Sequence, residues 1–211
     1  MYSRFFKRLI DIFLSSFALI LLCVPMLIVA IIIKCEDSGP AIFVQRRVGK
    51  DKKIFNLYKF RSMRMDTPHD TPTHMLENPK QYILKIGGFI RKTSIDELPQ
   101  LINILKGDMS IIGPRPALWN QDDLIVERDK YNANSVRPGL SGWAQINGRD
   151  ELEIPIKAKL DGEYVANISL VFDIKCILGT FISVIKSDGV VEGGTGEMKK
   201  EAELSTENTK V

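Results

Sequence analysis

Residues 12–33 read IFLSSFALILLCVPMLIVAIII, 22 positions without a charge. As an α-helix this run is about 33 Å long, at ~1.5 Å per residue, enough to cross a bilayer core. So long an uncharged stretch argues against a soluble core helix. It also exceeds an ordinary signal-peptide h-region, and no small-x-small site follows it. Both flanks are basic. Arg4, Lys7 and Arg8 precede the run. Arg46, Arg47, Lys50, Lys52, Lys53, Lys59, Arg61 and Arg64 follow it, against Asp51 alone between Gln45 and Arg64. Basic flanks stay in the cytoplasm, and one straight span cannot keep both there. Pro25 removes a backbone hydrogen bond near the middle of the run, and Ser15 and Ser16 can satisfy polar groups freed nearby. The sequence favours a re-entrant membrane helix broken at Pro25, dipping into one leaflet and returning. A tilted single span is the alternative.

The remainder of the 211 residues is ordinary in composition. Apolar residues make up 45% and charged residues 26%, which excludes collagen-like, wholly disordered and disulfide-scaffold classes. A net charge of +3 does not imply nucleic-acid binding, and no nucleic-acid partner is expected. Three Cys and two His, unclustered, are too few for a structural zinc site. An odd cysteine count fits a reduced compartment. The expected organisation is a membrane helix over 1–35, one α/β domain of short strands and amphipathic helices over 36–186, and a polar, Gly-rich flexible tail over 187–211. Residues 41–44 and 54–58 read as strands around a basic turn at 49–51. Residues 65–79 read as a mobile loop holding His69 and His74 as solvated side chains. Residues 169–186 read as an apolar-rich helix with Asp173 and Lys175 on one side, lying in the membrane surface or packed on the core.

The chemistry concentrates in residues 85–116, KIGGFIRKTSIDELPQLINILKGDMSIIGPRP. Ser94 and Glu97 form a Ser-x-x-Glu pattern, which predicts a capping box with Asp96 and Glu97 in the first helical turn. Leu98, Leu101, Ile102 and Leu105 then form the apolar face, Gly107 ends the helix, and 109–112 is a short buried strand. Helix capping alone would account for both acids. Their surroundings suggest more. Arg91 and Lys92 precede them, and Arg115 is fixed between Pro114 and Pro116, where it can present its fork to an anion. Lys59, Arg61 and Arg64 lie in YKFRSMR. Two carboxylates among so many cations suggest a Mg²⁺-bridged diphosphate. Arg61 and Arg64 have an alternative role, pairing with surface acids.

Long stretches of the chain resemble the bacterial sugar transferase family, the small monotopic polyprenyl-phosphate phosphoglycosyl transferases. They are Lys7-Arg8 with Asp11 and Pro25, GPAIFVQRRVGK (39–50), FNLYKFRSMR (55–64), SIDELPQLINILKGDMSIIGPRP (94–116), RPGLSGWAQINGR (137–149) and DGEYVANISLVFDIKCILGT (161–180). The resemblance implies transfer of a sugar-1-phosphate from a UDP-sugar to undecaprenyl phosphate, with release of UMP, on the cytoplasmic face of the bacterial inner membrane. It implies Asp96 as nucleophile in a covalent phospho-aspartyl mechanism and Glu97 as general base or orienting group. Mg²⁺ would be held by Asp96, and the membrane helix would be re-entrant. Lys59, Arg91 and Arg115 are the expected phosphate-binding residues, or a basic face for anionic lipid head groups. Gln145, Asn147 and Arg149 are expected contacts to the nucleotide sugar, on a loop whose glycines 139, 142 and 148 permit tight turns. Trp143 packs on a base, at the interface or in the core. The resemblance leaves open the sugar, the glycan pathway and whether a homodimer forms. Its rivals are direct transfer in a ternary complex and a non-enzymatic membrane adaptor.

Overall fold

The computed structural model describes residues 2–67, 79–148 and 152–186. The expected loop histidines, the C-terminal tail and Arg149 lie outside them. The long apolar run forms helix α1, Lys7–Glu36, entered through a π-helical turn at Tyr2–Phe6. Helicity continues through Pro25, which differs from the expected break there. The missing proline N–H costs one intrahelical bond without ending the helix.

What α1 touches matters more than its length. Near its N-terminus, Lys7 and Tyr2 bond Asp173 at 2.7 and 2.6 Å, and Arg8 donates to the carbonyls of Ile104 and Leu105 at 2.6 and 3.0 Å. Asp11 accepts from Ser110 Oγ and the Ile111 N–H. Midway, Ala18 and Leu19 pack on a core of Leu57, Leu101, Ile104 and Met109. Towards the C-terminus, Met26, Val29, Ala30 and fully buried Ile33 pack with Phe60, Leu84 and Ile90. Beyond them Glu36 accepts the N–H groups of Lys85 and Ile86, and Asp37 pairs with Arg61. The helix therefore lies along the domain, held at both ends. Its outer face leaves Phe13, Phe17, Ile20, Leu21, Val24, Leu27 and Ile31 exposed.

Strands β1 (Ile42–Val48) and β2 (Ile54–Phe60) form the expected antiparallel hairpin, closed by a 3-10 turn at Lys50–Lys52. Helix α2 (Lys85–Lys92) leads into the acidic segment, and α3 (Gln100–Lys106) leaves it. Strand β3 (Ser110–Ile112) pairs in parallel with β4 (Gly139–Ser141). Thus Gly139 lies in a strand, where the expectation was a turn. A Cβ there would meet the Gly113 backbone nitrogen at 2.1 Å, so only glycine lets the two strands approach. Helices α4 (Asp122–Asp129), α5 (Trp143–Ile146), α6 (Ile154–Ala166) and α7 (Leu170–Lys186) complete the described fold. A buried ion pair, in which Arg128 Nε and Nη2 both donate to Asp161 Oδ2 at 2.8 and 2.5 Å, ties α4 to α6. The described residues are mixed helix and short strand, with two two-stranded sheets among them.

Two expectations are corrected. The buried face of α3 carries Leu101, Ile104 and the polar Asn103, while Ile102 is 40% exposed. Asn103 enters the core because its amide accepts from the Tyr58 N–H at 3.0 Å and donates to the Asn56 carbonyl at 2.7 Å. It thereby closes the free edge of β2. On α7, Asp173 is buried against Tyr2, Lys7 and Tyr164, whereas Lys175 stacks on the Trp143 ring. Residues two apart on a helix face different ways.

The Arg8 clamp is measurable. Arg8→Met keeps the apolar stem and removes one donor from each of two carbonyls at the end of α3, of which Ile104 keeps the Gly107 N–H. It is expected to cost about 1–3 kcal/mol, read by thermal melting in detergent, with faster amide exchange at the end of α3.

Candidate active site

Thr93 ends α2, and Ser94 follows in the left-handed region at φ 57°. A non-glycine residue there carries strain of order 1–3 kcal/mol. It reverses the chain into a single 3-10 turn, Ile95–Glu97. The capping box does not form: the left-handed Ser94 makes no side-chain cap bond, and α3 begins only after Pro99. Proline suits a helix start because it needs no acceptor for an N–H. Asp96 and Glu97 therefore do not cap α3. They stand on a short turn of their own between two helices. Glu36 holds the far end of α2, and Arg8 holds the far end of α3.

Asp96 is 8% exposed. Burial pushes its carboxyl up from the ordinary 3.8 to about 6. Lys59 opposes the shift, Glu97 adds to it, and Arg91 and Arg115 oppose it. Lys59, near the end of β2, is moved down, first by desolvation and then by Arg115 and Arg47, against the pull of Glu97 and Asp96. Arg115 donates to Glu97 at 3.2 Å from the loop after β3. The fold thus gathers Lys59, Arg91, Asp96, Glu97 and Arg115 into one electrostatic cluster.

Arg47 belongs there too, and the sequence reading had counted it only as a basic flank. Its guanidinium bonds the Pro116 carbonyl and Gln45, so the hairpin holds the turn that presents Arg115. Arg61 pairs with Asp37 and Arg64 with Asp66, as their alternative role required, although Arg61 is buried. Gln145 lines the pocket beside Glu97 and Arg115. Asn147 lies outside that lining; it is exposed and donates to the Trp143 carbonyl at the end of α5. Trp143 packs edge-on against Phe172 and donates to Glu163, which favours core packing over the other two roles.

Among the described residues no group of three or more His, Cys, Asp or Glu side chains is placed to hold a metal ion. A pair of carboxylates still fits Mg²⁺, which commonly takes one or two carboxylates and fills its shell with substrate phosphate and water.

The geometry defines a buried Asp96 and a half-buried Glu97 inside a cationic shell, on a domain docked along an apolar helix. A model of the bacterial sugar transferase family matches residues 2–187, and the chain belongs to that family. It is 40% identical over 184 residues to the uncharacterized sugar transferase EpsL of Bacillus subtilis (strain 168), covering 87% of this chain and 89% of that one. It is 38% identical over 191 residues to the UDP-glucose:undecaprenyl-phosphate glucose-1-phosphate transferase of Escherichia coli (strain K12), covering 87% of this chain and 40% of that one. It is also 38% identical over 191 residues to the UDP-N-acetylgalactosamine-undecaprenyl-phosphate N-acetylgalactosaminephosphotransferase of Aeromonas hydrophila, covering 88% and 45%. The chain therefore spans under half the length of the latter two.

The raised Asp96 carboxyl has two consequences. Its folded value lies above its unfolded one, so stability present below about pH 4 is lost as pH rises through about 6. Asp96→Asn removes that loss. Its melting advantage over the wild type should open between pH 4 and 6 and reach at most about 3 kcal/mol. If the ionised carboxylate does the chemistry, activity runs the other way: kcat/KM should fall as pH drops through about 6, in a pH–rate profile of the free enzyme.

Proposed function

We propose that the protein transfers a sugar-1-phosphate from a UDP-sugar to undecaprenyl phosphate and releases UMP, on the cytoplasmic face of the bacterial inner membrane. The observation that carries this reading is the Asp96–Glu97 pair, Asp96 buried and Glu97 half-buried, ringed by Lys59, Arg91 and Arg115. The printed names of the Escherichia coli and Aeromonas relatives support the substrate classes. They differ in the sugar, so the sugar is left unassigned.

Asp96 is the nucleophile. One of its carboxylate oxygens attacks the phosphorus that bears the sugar. The bond from that phosphorus to the UMP oxygen breaks, and UMP leaves with the electron pair. An oxygen of undecaprenyl phosphate then attacks the acyl phosphate, frees the Asp96 carboxylate and forms the polyprenyl diphosphate sugar. Splitting the transfer this way lets each step start from a bound, oriented phosphate. Burial makes Asp96 a less hydrated and better nucleophile, while Lys59, Arg91 and Arg115 stabilise charge on the phosphoryl oxygens. Glu97, held by Arg115, takes the acceptor's proton or orients its phosphate. Asp96, with Glu97 beside it, would hold Mg²⁺, which when bound neutralises the diphosphate and eases departure of UMP.

The membrane reading is part of the same proposal. Both ends of α1 and the middle between them pack on one domain, which supports a helix whose two ends lie on the same face of the bilayer. The outer stripe of α7, with Val171 and Phe181 exposed, supports contact with lipid beside it, and the basic residues face anionic head groups.

The test is UMP release from a UDP-sugar panel by purified enzyme, with and without undecaprenyl phosphate. Turnover should stop on chelation and return with Mg²⁺. Asp96→Asn should lose turnover by orders of magnitude while remaining folded, and Glu97→Gln should be crippled as well. Intact mass spectrometry with UDP-sugar alone should show a sugar-phosphate adduct that Asp96→Asn lacks. UMP release only when acceptor is present would favour direct transfer. No release from any UDP-sugar would favour an adaptor.

A further inference from the structure

A cavity of about 240 Å³ lies between α7 and the β3–β4 pair, with Glu97 and Arg115 in its lining. Its walls are branched and aromatic: Ile112, Ile146, Ile177 and Phe181 among them. Its wall area is mostly apolar, and two of its hydroxyls are occupied by each other. Ser141 Oγ and Thr180 Oγ1 are 2.5 Å apart, and Thr180 Oγ1 donates to the Cys176 carbonyl at 2.7 Å. A polar ligand would find few partners there, whereas a hydrocarbon loses nothing.

Two further observations fix the kind of hydrocarbon. Phe181 is both a wall of the cavity and part of the exposed apolar stripe of α7, at 64% exposure, with Leu178 and Ile182 beside it. Phe181 thus joins the cavity to the exposed apolar stripe of α7. At its other end Arg115 offers a guanidinium to an anion. An anionic head on a branched apolar chain matches this sequence of surfaces. The volume admits roughly eight water-sized groups, the bulk of one to two isoprene units.

We propose that this cavity seats the first isoprene units of the acceptor, with the phosphate at Arg115 and the remaining chain passing over Phe181 into lipid. The proposal rests on the polyprenyl phosphate reading above. The rival occupant is the uracil of the donor. Gln145 Oε1, buried and unpartnered among the described residues, is the one group that speaks for it. That oxygen, however, faces Gly142, where a Cβ would approach within 2.5 Å.

Steady-state UMP release by the full chain in detergent micelles decides between them. Ile177→Trp fills the cavity and leaves every charged group in place. The apparent KM for undecaprenyl phosphate should rise by about tenfold or more, with the KM for UDP-sugar unchanged. A rise confined to UDP-sugar would overturn the proposal in favour of a uracil site. No change in either, in a folded variant, would overturn it outright. Photolabelling of the wild type with a C15 prenyl phosphate, carrying a diazirine on its first isoprene unit, needs neither a variant nor turnover. Adducts on Ile146, Ile177 or Phe181 are expected, and adducts confined to α1 would overturn the proposal. Wild-type enzyme that releases no UMP from any UDP-sugar would instead count against the reaction, and the photolabel would still read the cavity.

Discussion

Arg8 and Glu36 stand at opposite ends of a 30-residue helix, and both reach into the same small domain. The remaining structure depends on that double attachment. Arg8 binds the last carbonyls of α3, where a helix end carries partial negative charge, and Glu36 binds the first N–H groups of α2, where it carries positive charge. Those two helices flank the turn that bears Asp96 and Glu97. A long apolar helix therefore also fixes the outer ends of the elements between which the acids are set. Ile33, Ala18 and Leu19 add apolar burial along its inner face, so the helix cannot leave the domain without uncovering two cores.

The acid turn is the costly part of the fold. Ser94 holds a left-handed backbone conformation, and Asp96 is buried with its charge only partly compensated. Lys59 is likewise held away from its ordinary value by burial and by neighbouring guanidiniums. Such a cluster is a poor way to stabilise a protein. In the proposed reaction it would receive a diphosphate, whose charges would relieve the cations while the acids stay close to the phosphorus.

Much of this was legible in the sequence, for identifiable reasons. The long N-terminal helix shows because 22 residues, mostly apolar, run without a charge. The hairpin shows through β-branched and aromatic runs on either side of Gly49-Lys50-Asp51. The site cations show through their density around two acids. What was not legible depended on partners distant in the chain. The Ser-x-x-Glu pattern is a local signal, and Pro99 together with the left-handed Ser94 overrode it. Asn103 looks like a surface residue until β2 supplies the Tyr58 N–H and the Asn56 carbonyl. Asp173 and Arg128 look solvated until Tyr164 and Asp161 are brought to them. Arg8 and Glu36 read as ordinary flanking charges, because neither helix end that they bind is near them in sequence.

The two-ended attachment of α1 is tested most directly by where its two ends lie across the membrane. In a background with Cys23, Cys35 and Cys176 replaced, single cysteines at Ser3 and at Lys52 can be probed in intact cells with a membrane-impermeant thiol reagent. Both should resist labelling until the cells are opened, and both should then react. Labelling of either one from outside would contradict a helix that returns to the face it entered.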